Sequence, residues 1–344
     1  MNGMATLTWW EWVGTIVVTL VGMAAPAFAQ SLERFSFVEP HLGTIVEITI
    51  YAPGEIVANE AAHAAFARVK ELDWIFSDYK PESEAMRLCA QAGSGQPVKV
   101  SPELFQVLKQ SLAVSKLTDG GFDVTVGPLV ALWRRARKEK RLPTAEEIAA
   151  AKELVGWKLV TLSEADQTVE LQRVGMRLDF GGIAKGYIAQ EVSRCLRERG
   201  LNRTLVALSG DIVAGDPPPA ADGWKIGVAP LEGANRPPSR LLLLKNCAVS
   251  TSGDAFQFVE IAGVRYSHIV DPQTGVGLTR RSSVTVVAAD GGTADAWDTA
   301  ICVVGPERGL PLIENEKIEA LIVQATDDGV RVVESKGFGH HAAK

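Results

Sequence analysis

The sequence predicts an α+β fold: a single two-lobed domain in which mixed or antiparallel sheets are flanked by helices. Three observations predict it. Apolar residues recur at helical spacing through much of the first 200 residues, whereas short strand patterns follow one another after residue 203. No internal repeat and no low-complexity linker divides the chain beyond residue 29. With 344 residues, 47% hydrophobic and 22% charged, the chain can bury a sizeable core.

Residues 1–29 read as an export signal, leaving 30–344 as the folded domain. The stretch 13–29 carries no charge, and Ala27-Phe28-Ala29 offers an A-x-A cleavage site before Gln30. The flank ahead of it holds Glu11 and no Lys or Arg. An uncleaved anchor is the competing reading, although the run is short of the ~20 residues a membrane span needs.

The folded part opens with a strand over 44–52, where Val46, Ile48 and Ile50 share a face. A helix follows over 55–76, with Ala62, Phe66, Val69, Leu72 and Phe76 at helical spacing and His63 read as a surface residue. Pro81 marks the break after it. Ser101-Pro102 caps a helix with Leu104, Leu108 and Leu112 on one side. A glycine-rich loop then carries Phe122, Asp123 and Thr125. The basic run 133–141 reads as a solvated helix surface, and Thr144-x-x-Glu147 as a capping box.

At Arg177-Leu-Asp-Phe-Gly-Gly-Ile-Ala-Lys-Gly186 an apolar run ends in Asp179, a paired glycine turn follows, and Lys185 opens a helix. Ile188, Val192, Cys195 and Leu196 form its apolar stripe, and Gly200 closes it. Strands are expected at 204–207, 224–228, 241–244, 283–289, 320–324 and 330–333. A hairpin is expected over 258–266 around Ala262-Gly263. A helix begins near Thr293, and the terminal Gly339-His-His-Ala-Ala-Lys344 reads as frayed.

Net charge of −6 argues against a nucleic-acid partner. The four cysteines, Cys89, Cys195, Cys247 and Cys302, show no metal-ligand spacing and read as buried free thiols. Chemistry concentrates in two places. A helix start with unpaired N–H groups, adjacent glycines and Lys185 suits an anion, though a plain strand-to-helix turn fits as well. Asp295 and Thr299, spaced i, i+4, place two hard oxygens on one helix side, as Mg²⁺ prefers. Asp295 as a mere helix cap is the alternative.

The order of these elements, and many residues within them, resembles the ApbE family of FAD:protein FMN transferases. The anchors are Phe76-Ser-x-Tyr79, Gly121-Phe-Asp-Val-Thr-Val-Gly-Pro-Leu129, Asp179-x-Gly-Gly-Ile-Ala-Lys-Gly186, Thr251-Ser-Gly253, His268-Ile-x-Asp-Pro-x-Thr-Gly275 and Ala294-Asp-x-x-x-Thr-Ala300. The similarity runs from Leu42 to at least Gly305, and six anchors in order are specific where none alone is. The resemblance implies an exported enzyme with a flavin site between two lobes, FAD as substrate and Mg²⁺ as cofactor. Its reaction would move FMN to a Ser or Thr hydroxyl of an acceptor protein, such as a membrane redox protein, and release AMP. By matching motifs, the metal falls to the Ala184 carbonyl, Asp295 and Thr299. Flavin and nucleotide contacts fall to Leu42, Tyr79, Gly121, Phe122, Asp123, Lys185 and Ile269. His268 is the histidine in an anchor and the expected base, with Asp271 to orient it or to serve instead.

The chain departs from the family pattern at Leu42 (usually Met), at Cys89 (commonly Asn), and at Ser209 before Gly210-Asp211. Trp297 and Asp298 stand where smaller residues are usual, so Asp298 adds either a second carboxylate or a surface charge. Other activities on the same scaffold are FAD hydrolysis to FMN and AMP, or flavin binding without turnover. A flavin oxidoreductase would need a donor site, and no nicotinamide fingerprint is present.

Overall fold

The computed structural model describes residues 31–231, 237–254, 257–314 and 316–343. The expected signal segment, residues 1–29, lies outside them.

The first strand, β1 (Glu33–His41), precedes the expected β2 (Thr44–Ala52) and pairs with it antiparallel. Leu42 and Gly43 turn the hairpin with φ of 55° and 69°, the two positive values a type I′ turn requires. Next come α1 (Glu55–Phe76), α2 (Glu84–Ala90), β3 (Val98–Lys99) and α3 (Pro102–Leu117). Ser101 caps α3 by accepting the Leu104 N–H at 3.2 Å. The chain continues through α4 (Gly127–Glu139), α5 (Ala145–Lys152), β4 (Val160–Ser163), β5 (Thr168–Leu171) and α6 (Ala184–Glu198). Thr144 and Glu147 form the expected capping box on α5.

The rest is mostly strand: β6 (Thr204–Leu208), β7 (Asp211–Ala214), β8 (Trp224–Val228), β9 (Arg240–Leu244), β10 (Cys247–Gly253), β11 (Phe258–Ile261), β12 (Val264–Ser267) and β13 (Ser282–Ala288). Then follow α7 (Gly291–Val304), α8 (Pro306–Ile313), β14 (Glu319–Thr326) and β15 (Gly329–Glu334).

Eight strands build the main sheet in the order β1-β2-β6-β7-β10-β13-β14-β15. Each neighbouring pair is antiparallel. Period-two alternation sends successive residues to opposite faces. On one face Ala248, Val286 and Ile322 join the large core with α1, α6 and α7 residues such as Val69, Ile188 and Ile301. On the other, Val249, Val287 and Leu321 meet Trp224, Ile226 and Leu242 of the β8–β9 hairpin, and Phe338. Central β13 is buried at every position because both faces are covered.

A smaller core of Leu129, Trp133, Ala136 and Val270 joins α4 to the segment after β12. The basic run is therefore one-sided: Trp133 and Ala136 face inward while Arg135 and Lys138 are exposed. Residues 32–344 form one unit.

Three expectations are corrected. The terminal segment does not fray: Phe338 is 0% exposed, His341 contacts Glu319, and the Ala343 N–H donates to the Leu241 carbonyl at 2.9 Å. Of the four free thiols, Cys89 and Cys302 are buried, whereas Cys195 and Cys247 are only half-buried. No strand forms before Asp179; an isolated bridge joins Arg177 to Val126 instead.

α6 and α7 touch backbone to backbone. A Cβ on Gly186 would lie 2.0 Å from the Gly291 carbonyl oxygen, and one on Gly291 would lie 2.1 Å from that of Gly186. Only glycine at both positions permits this approach, and it sets α7 against the start of α6.

Candidate functional site

No neighbouring side chain of its own segment caps α6. Asp295, reaching across from α7, does so: its Oδ2 accepts the Gly186 N–H at 3.0 Å. It does not cap its own helix, because Asp290 holds that place and accepts the Thr293 N–H at 2.9 Å. Asp295 lies further along α7 and is 1% exposed, and its Oδ1 has no hydrogen-bond partner among the described residues.

Two more carboxylates converge there. Asp298 is fully buried, which excludes a surface charge, and its Oδ1 is likewise unpartnered. Asp211 follows a tight turn in which Ser209 has φ 60° and a Cβ on Gly210 would lie 2.8 Å from the Thr251 carbonyl oxygen. Asp211, Asp295 and Asp298 each offer an oxygen within 4.8 Å of the others. Lys185 Nζ lies 2.5 Å from Asp211 Oδ2 and 3.8 Å from Asp295 Oδ1.

Ser250 Oγ is 2.6 Å from Asp211 Oδ1 and 2.5 Å from Asp298 Oδ2. One hydroxyl hydrogen can serve only one of these carboxyl groups at a time. Burial, then Asp295 and Asp211, push the Asp298 carboxyl well above the usual range. Burial and the Asp211 charge raise Asp295 to about 7, against the pull of Lys185. For Lys185, burial disfavours the ammonium, but Asp211 and Asp295 outweigh it and the net shift is upward.

Two unpartnered oxygens of buried Asp side chains suit a hard divalent cation. Thr299 Oγ1 lies at the same place, 3.2 Å from Ser252 Oγ, where a Cβ on Gly182 would come within 2.9 Å of it. Ala184 is the first residue of α6, directly before Lys185. The structure thus brings Lys185 to Asp295, with Thr299 one turn further along α7 and against Gly182 in the loop before α6.

The other expected residues fall on separate segments of the fold. Asp179 accepts the Gly181 N–H at 2.9 Å and sits 3.1 Å from Arg134, whose guanidinium also pairs with Asp78. That guanidinium lies 4.5 Å from the Tyr79 ring centroid, so Tyr79, 75% exposed, is tied to the loop before α6. Asp179 stands in an anchor motif, but the sequence assigned it no place among the expected site residues. Leu42 lines an open recess of about 520 Å³ with His41, Ile45 and Asp73, and Asp73 pairs with Lys80 at 2.5 Å.

The glycine-rich loop behaves differently from expectation. Gly121 is required by packing, since a Cβ there would meet Val304 at 2.3 Å. Phe122 is 5% exposed, and the Asp123 carboxylate accepts Thr125 N–H (2.8 Å), Thr125 Oγ1 (2.7 Å) and Trp157 N–H (2.9 Å). Both side chains brace the loop from inside.

His268 directly follows β12, and its Nδ1 is 3.1 Å from the Gln257 carbonyl oxygen. That acceptor fixes the hydrogen on Nδ1 and leaves the Nε2 lone pair free. Burial, with the charges of Arg137 and Lys185, lowers the ring from 6.5 to about 4 against the Gln257 carbonyl. Asp271 does not orient it. Its oxygens accept Gln273 N–H at 2.8 Å and Thr274 Oγ1 at 3.0 Å, which commits it to the turn. Ile269 is buried, and Gln273 Nε2 ties this turn to the glycine-rich loop through the Asp119 carbonyl at 2.9 Å.

Fold and site together define an α+β scaffold with a lysine-bearing carboxylate pocket at a helix N-terminus. The chain belongs to the ApbE family, whose model matches residues 42–322. It is 31% identical to the FAD:protein FMN transferase of Vibrio cholerae over 94% of this chain and 95% of that one. To the Treponema pallidum protein of the same name it is 30% identical, over 93% and 92%. The solved flavin transferase ApbE from Vibrio cholerae superposes with a TM-score of 0.81, covering 90% of this chain and 99% of that one at 30% identity. The ApbE protein of Thermotoga maritima gives 0.82 at 29% identity, over 91% and 100%.

Proposed function

We propose that the protein is an FAD:protein FMN transferase that acts, with Mg²⁺, on a Ser or Thr hydroxyl of an acceptor protein. The acceptor oxygen forms a bond to the FMN phosphorus, the diphosphate bond breaks, and AMP departs with the bridging oxygen. The observation that carries this reading is the pocket at the start of α6, where Lys185 and two unpartnered carboxylate oxygens meet. Relatives named for this reaction support it across nearly the whole chain.

Mg²⁺ held by the Ala184 carbonyl, Asp295 and Thr299 would neutralise charge on the diphosphate and polarise it. Lys185 and the α6 N-terminus add positive potential where the diphosphate lies. Leu42, Tyr79 and Ile269, with the backbone of 121–123, flank the flavin and nucleotide. His268 Nε2, unprotonated at neutral pH, takes the acceptor proton. Export by residues 1–29 puts the reaction in the periplasm, where membrane redox proteins present their acceptor residues.

The test is to incubate the mature chain with FAD, Mg²⁺ and a candidate acceptor, and to weigh the acceptor. A gain of one FMN phosphoester with stoichiometric AMP is expected. Free FMN without acceptor modification would make it a diphosphatase, and unchanged FAD a binding protein.

A further inference from the structure

Lys185 is a long side chain whose ammonium must meet a diphosphate, yet nothing in its own helix fixes its direction. Asp211 does. Its side chain is 2% exposed against 34% for Lys185, so the pair runs from the interior towards the opening. Asp211 itself is held within the sheet. Its backbone is paired with Leu208 on one side and Ser250 on the other, in two ladders of the main sheet. Its second oxygen is held by Ser250 Oγ at 2.6 Å. No expected site residue of the sequence included Asp211 or Ser250.

We propose that Asp211, braced by Ser250, is a positioning residue that aims Lys185 Nζ at the diphosphate of FAD. This rests on the transferase reading above. Asp211 makes no contact with substrate; it converts a flexible cation into one fixed between the carboxylate pocket and the N-terminus of α6. The consequence is selective: phosphate-bearing ligands depend on Asp211, whereas the isoalloxazine ring does not.

The experiment measures binding of FAD, ADP and riboflavin to the mature chain with Mg²⁺ present, for the parent, Asp211→Asn, Lys185→Met and the double variant. Asp211→Asn should weaken FAD and ADP by about tenfold or more, the size of a lost charge-assisted contact, and leave riboflavin unchanged. In the double variant the two losses should not add, because one acts through the other. Ser250→Ala, which removes only the brace, should show a smaller loss with the same selectivity, and it covers the case in which Asp211→Asn fails to fold. Equal weakening of riboflavin, full additivity with Lys185→Met, or unchanged FAD affinity in both the Asp211 and Ser250 variants would overturn the assignment. A parent that binds riboflavin and ADP but transfers no FMN would sink the transferase reading while leaving the Asp211 result readable.

Discussion

An exposed imidazole titrates near 6.5, but His268 is held to about 4 by burial and by the charges of Arg137 and Lys185. The acidic limb of kcat/KM, which reports the free enzyme, should therefore centre near pH 4 instead of 6.5. His268→Gln should lower turnover by 10²–10⁴-fold and remove that limb. Stability carries the same signature. Between pH 6.5 and 4 the unfolded chain binds a proton that the folded chain refuses, so stability falls as pH drops through this window. Urea midpoints at pH 7 and 5 should differ less in His268→Gln than in the parent. Nothing in the residue types announces this shift, since its main cause is burial in the fold and the charges that add to it lie on α4 and α6. Asp295 was legible as a candidate ligand from its i, i+4 spacing with Thr299, but the capping alternative ended only when Asp290 was seen to cap α7. Asp290→Ala should cost about 1 kcal/mol and leave cation binding intact. Asp295→Asn should abolish Mg²⁺ binding measured by calorimetry without flavin.

Elements with a strong local pattern were readable: α1, the α3 and α5 caps, and the β11–β12 hairpin all lie where spacing and turn residues put them. β1 was not, because an edge strand with polar residues on its outer side lacks a full apolar face. β10 was obscured by its Ser, Thr and Gly, and β7 by its brevity, four residues that open with the site's Asp211. The hairpin turn sets Ala262 at φ 51° and Gly263 at φ 77°. Ala262→Asn should stabilise the protein by about 0.5–1 kcal/mol, because Asn tolerates that conformation and makes the preferred Asn-Gly pair. The α6–α7 crossing gives the opposite case. Gly186→Ala forces a methyl into the Gly291 backbone and should cost roughly 1–3 kcal/mol or more. It should also weaken cation binding, since α7 carries Asp295 away from α6. Calorimetric melting and Mg²⁺ titration on the same variant separate the two effects.

At the scale of the molecule, the α+β class and element order were legible, but which strands neighbour one another was not, because pairing depends on contacts distant in sequence. The closing segment was misjudged for the same reason: Gly339-His-His looks solvated until the sheet face it covers is known. Phe338→Ala should cost about 3–5 kcal/mol by urea unfolding, the range for a fully buried aromatic. A chain lacking residues 1–30 should keep full stability, since residues 32–344 form one unit. Expressed whole in a bacterium, the exported protein should begin at Gln30 by N-terminal sequencing.

Read along its width, the main sheet takes its strands in the order in which they are made, from β1 at one edge to β15 at the other. A polypeptide arriving N-terminus first through a narrow pore would always lay its newest strand beside one already in place. No strand has to be inserted between two finished neighbours, although β2, complete at Ala52, keeps its inner edge open until β6 arrives at Thr204. Only the turn at Phe338 comes late, sealing the face between β14 and the β8–β9 hairpin after everything else has emerged. Until that turn arrives, the apolar face of β14 towards the hairpin stays uncovered at Phe338's place.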